Sequence, residues 1–367
     1  MYYIFLCVNV PADYLIYYPE KGNKRVITIK EIALQANVSI GTVDRVLHGR
    51  GRVSKKSEDK INAIIKKTGY KTNIFARNLS LQTAHHFGVI IPLSKPKGKY
   101  WEIIQKGANQ AVSELRPFNI RADFFFFNKF SETSFLEAGK NALEQGVSGL
   151  IIAPVLFDAC AAFIKSIPQH IPYVFLDSTL PNTAPVAAIG QDSFQSGVCG
   201  AKLMHMLVRD SGSIAVVQML PIDFHIIERV RGFTSFFEKT PSITVHVFNG
   251  NGDMPEKEFV DFVASIESNL ANCKGFFVTN ADAHLVAKAL RSMKSAGKHV
   301  IGYDCIGENI RLLEEGFIDF IISQNPREQG YAGINALFRH LVMKEPCFTN
   351  VQMPIDIVMA ENVSFYK

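Results

Sequence analysis

Three helix-start signals fall within 27 residues near the amino terminus, and that spacing leaves room for little except short helices joined by tight turns. Thr28 is followed three residues later by Glu31 in Thr-Ile-Lys-Glu. A hydroxyl with a carboxylate at that offset is the signature of a capping box. The spacing predicts a helix from Thr28 to about Gln35, a turn at Ala36-Asn37-Val38, and a second helix from Ile40 to about Leu47 capped by Ser39. Val43, Val46 and Leu47 recur at helical spacing and form its inward face. Gly49 and Gly51 end it. Ser54 caps a third helix, with Ile61, Ile64 and Ile65 as its apolar stripe and Gly69 as its stop. Two short helices around a tight turn, with a third behind them, make a helix-turn-helix.

Charge is concentrated in the same region. Glu20 to Arg77 holds 14 Lys/Arg against 5 Asp/Glu, whereas Asn78 onward holds 25 against 28. A basic segment on an otherwise slightly acidic chain calls for a polyanionic partner, with nucleic acid first among the candidates. The alternative is a solvated basic surface.

Beyond Phe87 the pattern changes to alternating strands and helices. Phe87–Pro92 is a buried strand run bounded by breakers. Further strands are expected at Ala122–Phe127, Gly149–Ala153, Tyr173–Leu176, Ala187–Ile189, Ile214–Gln218, Thr244–Phe248, Gly275–Val278, Val300–Tyr303 and Phe320–Ser323. Helices between them include Trp101–Glu114, Phe194–Val208, Ile227–Phe237, Ala283–Ser295 and Arg327–Leu341. Repeated β-α units imply parallel sheets covered by helices on both faces. About 280 residues of this is expected to divide into two lobes.

Several function classes are disfavoured. No G-x-G-x-x-G follows the first strand, and neither G-x-S-x-G nor H-E-x-x-H occurs. The six cysteines are scattered without a C-x-x-C pair, as for buried thiols in a reducing compartment. Met1–Val10 is apolar but lacks the positive start and the cleavage site of a secretory signal, and is too short to span a membrane. Residues 1–25 are read as a disordered tail or a misassigned start. No enzyme activity, cofactor, metal or membrane contact is expected.

The segment from Thr28 to Asn73 resembles the headpiece of the LacI/GalR family. The matching elements are T-x-x-x-I-A, V-S-x-x-T-V-x-R-V-L, V-S and G-Y-x-x-N, in ungapped register. The resemblance implies that Ile40, Gly41 and Arg45 read base edges in the major groove. Arg45 is the strongest candidate, because Arg can bond guanine O6 and N7 together. It also implies phosphate contacts from Thr28, Ser39, Thr42, His48, Ser54, Ser57, Tyr70 and Asn73, which set register without reading sequence. Asp44 departs from the small polar residue usual there. It repels phosphate, accepts from a cytosine amine, or pairs with Arg45 or Arg50. Asn73–Leu79 resembles the family's hinge helix, with Ala76 and Leu79 at the positions that enter the minor groove. Thr72 replaces the usual proline.

The rest of the chain resembles the family's two-lobed, periplasmic-binding-protein-like sensing domain, read over residues 85–367 after a headpiece at 26–72 and a hinge segment at 73–84. The landmarks are "KYWEIIQKGANQA", "RVRGF", "VTNADAHLVAKAL", "VIGYDCI", "IISQNPREQGYAG" and a terminal strand in "MPIDIVMAEN". They imply a sugar-like effector held by Tyr100, Trp101, Arg229, Asn280, Asp282, Asp304 and Gln324, with Arg231 facing away. Asp177 and Asp192 are weaker candidates, since each can instead cap a following turn or helix. Arg229 and the lysines at 95, 97 and 99 also fit a sugar acid. The family pattern further implies a cytoplasmic homodimer bound to pseudo-palindromic operator DNA, acting as a repressor of carbohydrate-utilisation genes.

Overall fold

The computed structural model describes residues 27–48, 51, 53–68, 84–94, 100–209, 211–346 and 350–367. The chain forms two compact units that divide between Arg77 and Asn78. The expected tail at 1–25, the hinge segment at 73–83 and the lysines at 95, 97 and 99 lie outside the described residues.

Among the described residues, the first unit has three helices, α1 (Ile29–Ala36), α2 (Ile40–His48) and α3 (Lys55–Thr68). The capping box forms: Glu31 N donates to Thr28 Oγ1 at 3.2 Å, and Thr28 N donates to Glu31 Oε2 at 2.8 Å. Asn37 takes a left-handed conformation (φ 54°) that stops α1 and turns the chain toward α2. Ser39 and Ser54 accept from the amides of Thr42 and Ser57 and so cap α2 and α3. Ile32, Ala33, Ala36, Val43 and Ile61 form the core, with Val46, Leu47, Ile64 and Ile65 packed around it.

The second unit contains two six-stranded sheets. The first holds β1 (His85–Pro92), β2 (Ile120–Phe127), β3 (Gly149–Ile152), β4 (Tyr173–Leu176), β5 (Ala187–Gln191) and β11 (Asn350–Met353), in the order β11-β5-β4-β3-β1-β2. The second holds β6 (Gly212–Met219), β7 (Ile243–Gly250), β8 (Cys273–Val278), β9 (His299–Tyr303), β10 (Phe320–Ser323) and β12 (Asp356–Val358), in the order β12-β10-β9-β8-β6-β7. The two strand orders correspond position by position. All pairings are parallel except β10 with β12. The helices are α4 (Tyr100–Glu114), α5 (Glu132–Glu144), α6 (Phe157–Ser166), α7 (Ser193–Val208), α8 (Phe224–Phe237), α9 (Glu256–Asn269), α10 (Ala283–Ser292), α11 (Gly307–Glu314) and α12 (Pro326–Leu341). The two-lobed α/β architecture agrees with the sequence expectation.

One expectation needs correction. The terminal "MPIDIVMAEN" is not a single strand. The first sheet takes β11 and the second takes β12, separated by Pro354-Ile355. Proline has no amide hydrogen to give a ladder, so the strand ends there and the chain changes lobes.

The chain crosses between lobes three times: after β5, after β10 and between β11 and β12. The side-chain amide of Gln191 ties these crossings together, donating to Ser323 O at 3.0 Å and to Pro354 O at 2.8 Å. After each of the first two crossings the chain enters a helix that packs on the first helix of the receiving lobe, α7 on α8 and α12 on α4. Both pairs meet through glycines. A Cβ on Gly107 would lie 1.8 Å from Arg327 O, and one on Gly330 would lie 2.0 Å from Ile104 O. In the other lobe, a Cβ on Gly232 would lie 2.0 Å from Phe194 O, and one on Gly197 would lie 2.2 Å from Arg229 O. The backbones therefore touch where a side chain would otherwise separate them, which explains the glycines in "IIQKGAN", "RVRGF" and "PREQGYAG".

Gly232→Ala should therefore destabilise the protein by about 2 kcal/mol, the usual scale of overpacking. Gly307 opens α11 with nothing near its would-be Cβ, so Gly307→Ala should be neutral or stabilising by about 0.5 kcal/mol. Thermal denaturation of the two variants measures the contrast, and equal midpoints would remove the close-approach argument.

Candidate functional site

The carboxyl ends of the strands of both sheets face a common cleft that encloses about 120 Å³. Ligands bind at such strand ends in open α/β sheets. The first lobe contributes Leu93 and Ser94 after β1, Val155 after β3 and Asp177 after β4. The second contributes Leu220 and Pro221 after β6, Gly252 and Asp253 after β7, Asn280–Asp282 after β8, and Asp304 after β9. Gln324 enters from the second crossing. Tyr100 and Trp101 open α4, and His225, Ile226 and Arg229 lie on the first turns of α8.

All seven residues proposed as effector ligands from the sequence line this cleft: Tyr100, Trp101, Arg229, Asn280, Asp282, Asp304 and Gln324. Arg229 is fully buried. Its Nη1 donates to Thr279 O at 2.7 Å, its Nη2 donates to Gln324 Oε1, and its guanidinium lies 3.9 Å above the Tyr303 ring. Gln324 Nε2 donates to Asp304 Oδ2 at 2.8 Å. Asp304 Oδ1 is buried with no donor among the described residues. Burial pushes the Asp304 carboxyl up to about 7; the nearby Asp177 adds to the rise, and Arg229 and Gln324 oppose it.

A second chain of bonds reaches the other lobe. Gln329 Nε2 donates to Gln324 O at 3.0 Å and to Tyr100 OH at 3.2 Å, and Tyr100 OH donates to Asp177 Oδ1. Burial, and then the negative charge of Asp177, holds the Tyr100 phenol well above its ordinary range. Tyr100 is buried, so Trp101, half-exposed and edge-on to Tyr100 at 5.1 Å, is the aromatic surface more open to a ligand. Asn280 Nδ2 donates to Asp282 Oδ2 at 3.1 Å, and Asn280 Oδ1 accepts from Asp282 N.

Asp177 and Asp304 both hold left-handed backbone conformations, with φ of 70° and 66°. Each follows the fourth strand of its lobe. Such conformations cost energy in a non-glycine residue and concentrate at functional sites. Asn309, fully buried, donates to Ala281 O, Tyr303 O and Asp304 O, all at 2.9 Å, and clamps the loops that carry the site.

Some assignments fall differently. Asp177, a weaker candidate by sequence, lines the cleft. Asp192 caps α7, accepting from Gln195 N at 2.9 Å. Arg231 is exposed, pairs with Glu228 at 2.6 Å and lies over Phe194. Asp223 and His225 were not anticipated. Asp223 caps α8, and His225 Nδ1 sits 2.7 Å from Asp223 Oδ1 and 3.8 Å from Asp177 Oδ2. No spacing rule reveals them, because the lobes bring Asp177 to His225 across 48 residues of chain.

In the headpiece, Ile40, Gly41 and Arg45 are exposed; Gly41 and Arg45, four residues apart, share the face of α2 opposite the buried Val43, and Ile40 opens the helix. Thr28, Ser39 and Ser54 are exposed hydroxyls at helix starts, with Thr42 and Ser57 half-buried beside them. Helix amino termini attract phosphate through free amides and the helix dipole. Asp44 is half-buried. The His48 side chain and Tyr70, Asn73, Ala76 and Leu79 lie outside the described residues. No described helix is long and apolar enough to cross a membrane, and the described residues hold no His/Cys/Asp/Glu group suited to a metal.

Comparison with known proteins separates the same two parts. Residues 28–73 match the model of bacterial regulatory proteins, lacI family, and residues 87–345 match the periplasmic binding protein domain. Over 90 residues the chain is 35% identical to the HTH-type transcriptional regulator AscG of Escherichia coli strain K12, covering 24% of this chain and 27% of AscG. Over 66 residues it is 42% identical to catabolite control protein A of Staphylococcus xylosus, covering 18% and 20%. The chain thus spans about a quarter of the length of the curated relatives it matches. A solved structure from Bacteroides fragilis, assigned to the LacI transcriptional regulators, superposes with a TM-score of 0.71 at 25% identity, over 78% of this chain and 100% of that one. The glucose-galactose binding protein GanP of Geobacillus stearothermophilus superposes with a TM-score of 0.66 at 22% identity, over 77% and 99%, and shares the fold.

The raised Asp304 carboxyl carries a sign that can be tested. Between about pH 4 and pH 7 the folded protein keeps a proton on Asp304 that the unfolded chain releases. Its contribution to stability therefore falls as pH rises through that window and levels off above it. Asp304→Asn should flatten this dependence and raise stability near neutral pH in the absence of ligand. Urea unfolding of both proteins at pH 5 and pH 8 measures the difference; identical pH slopes would exclude Asp304 as its source.

Proposed function

Because the chain belongs to the periplasmic-binding-protein domain family over residues 87–345 and carries a lacI-family regulatory domain at residues 28–73, we propose that it is a DNA-binding transcriptional regulator whose operator affinity is set by a small sugar-like effector. The observation that carries this reading is the presence in one chain of an exposed recognition face on a capped α2 and a two-lobed polar cleft. A binding protein serving only transport has no use for the first, and a constitutive DNA binder has none for the second.

On the DNA side, Arg45 supplies bidentate bonding to a guanine, Ile40 supplies apolar contact, and Gly41 lets the backbone approach the groove. Thr28, Ser39, Thr42, Ser54 and Ser57 position the domain against phosphates. His48, Tyr70 and Asn73 extend that set, and Ala76 and Leu79 supply the minor-groove wedge. A homodimer presents two such domains to a pseudo-palindromic site, with half-site spacing fixed by its geometry.

On the sensing side, the described wall is rich in acceptors. Asp177, Asp223, Asp282 and Asp304 are buried there, and both Nη groups of Arg229 are engaged by protein oxygens. Carboxylates of this kind accept from hydroxyl donors and outnumber Lys129, the wall's one described lysine, so a neutral sugar suits the cleft better than a sugar acid. Trp101 packs against its ring face. Since the wall is divided between two lobes, effector binding favours the closed arrangement by its differential affinity for it. Closure then alters the separation of the two DNA-reading domains in the dimer. Control of carbohydrate-utilisation genes, by repression, is the regulation this device serves, in a protein working in the cytoplasm on the chromosome.

A thermal-shift screen of the full chain against neutral sugars, sugar acids, sugar phosphates and purines tests the sensor. A ligand at 100 times its Kd adds about 2.7 kcal/mol of stability. The expected hit is a neutral sugar whose effect is lost in Asp304→Ala while DNA affinity stays unchanged. A response that survives Asp304→Ala would remove the cleft as the effector site. Arg45→Ala should cost about 1–3 kcal/mol of operator binding and relax preference at one base pair. Unchanged sequence preference in a selection experiment would remove Arg45 as a base reader.

A further inference from the structure

On the hinge side of Asp177 and His225 lies a second cavity, of about 210 Å³. This exceeds the ~150 Å³ apolar cavity known to admit benzene. Its walls come from both lobes: the end of β4, β5 and β11 on one side, and the first turns of α7 and α8 on the other. Asp177 and His225 line both this cavity and the effector cleft, and so form a shared partition.

The lining has a definite chemistry. It includes the carboxylates of Asp177, Asp192 and Glu228, and His225 is the one basic side chain among its described lining residues; Arg231, outside the lining, pairs with Glu228 Oε2 at 2.6 Å. Two more lining residues, Ser178 and Gln191, are over nine-tenths buried. Neither Ser178 Oγ nor Gln191 Oε1 has a hydrogen-bond partner among the described residues. Buried polar atoms are nearly always paired, and an exception asks for a ligand or water. Gln191 is also the residue whose amide nitrogen ties the three lobe crossings.

We infer that this cavity is a second small-molecule site, separate from the effector cleft, and that it takes a small hydroxylated organic cation such as an amino-polyol. The ammonium group meets Glu228 Oε1 and Asp177 Oδ2, the oxygens not taken by Arg231 and Tyr100. The hydroxyl groups donate to Gln191 Oε1 and exchange bonds with Ser178 Oγ. A ligand seated there touches both lobes and the residue that joins their crossings, so it sets the lobe spacing that the effector also sets. The two sites are then coupled through Asp177 and His225, and each ligand changes the affinity of the other by the same factor.

Three probes of nearly equal size and different charge test this on the full chain: 2-amino-1,3-propanediol (cationic), glycerol (neutral) and glycerate (anionic). Calorimetric titration should rank them in that order, and Glu228→Gln should weaken the cation about tenfold, the scale of one charge-assisted contact. Gln352 is exposed at the cavity wall, so Gln352→Trp should fold normally and block the cation by filling the space. Trp101, the single tryptophan of the native chain, lines the effector cleft, so in the unsubstituted protein its fluorescence should change as the cation binds and resets the lobe spacing. A crystal soaked with the cation should show it between Glu228, Asp177 and Gln191. Equal affinity for all three probes, undiminished cation binding in Gln352→Trp, a cation found only beside Tyr100 and Asp304, or no binding at all would overturn the assignment.

Discussion

The buried guanidinium of Arg229 is the interaction around which the second lobe's face of the cleft is arranged. An uncompensated charge in such a place costs several kcal/mol. Here the Thr279 carbonyl, the Gln324 amide oxygen and the Tyr303 ring surround it. Those partners come from the strand ends of β8, β9 and β10, so satisfying one charge draws three loops into register. With its oxygen turned to Arg229, Gln324 must present its nitrogen, and that nitrogen meets Asp304. The orientation of the acidic ligand thus follows from the placement of the basic one.

The two lobes solve the same problem twice and then diverge. Gln191-Asp192-Ser193, followed by Gly197, closes β5 and opens α7; Gln324-Asn325-Pro326, followed by Gly330, closes β10 and opens α12. The glycines keep the same job in both, letting α7 and α12 touch α8 and α4 backbone to backbone. The glutamines do not. Gln324 turns to Arg229 and Asp304 in the cleft, and Gln191 turns to the carbonyls of the other two crossings. One copy serves the ligand wall and the other serves the hinge. Asp177 and Asp304 keep more of their equivalence, both left-handed, both after a fourth strand and both in the cleft.

Local chemistry decided the headpiece, and that part was legible from the chain alone. Thr28 with Glu31, Ser39, Ser54 and the helical spacing of Val43 with Val46 and Leu47 and of Ile61 with Ile64 and Ile65 act over one or two helical turns, and the helices they imply are the helices found. Alternating strand and helix signals likewise announced the parallel sheets, because runs such as Phe87–Ile91 are buried on both faces. The split of the last segment into β11 and β12 was missed, since Pro354 marks a break in the run but not a change of sheet. Which sheet a strand joins depends on edges that are free only once the rest of the lobe exists.

The residue types able to hold an effector were written in the motifs around Tyr100, Arg229, Asp304 and Gln324. What these side chains do was not. Arg229 spends its Nη groups on the protein, Tyr100 withdraws from solvent to hold Asp177, and Asp223 and His225 join the wall from a turn with no signature of its own. The sequence by itself determined the capped helices, the strand-helix alternation and the glycines, because each rests on contacts a few residues apart or on backbone sterics. Only the tertiary structure decided which carboxylates share a wall, and that Gln191 holds the hinge while Gln324 holds the cleft. Those choices turn on distances between residues 20 to 163 positions apart, which are fixed only when two sheets close on each other.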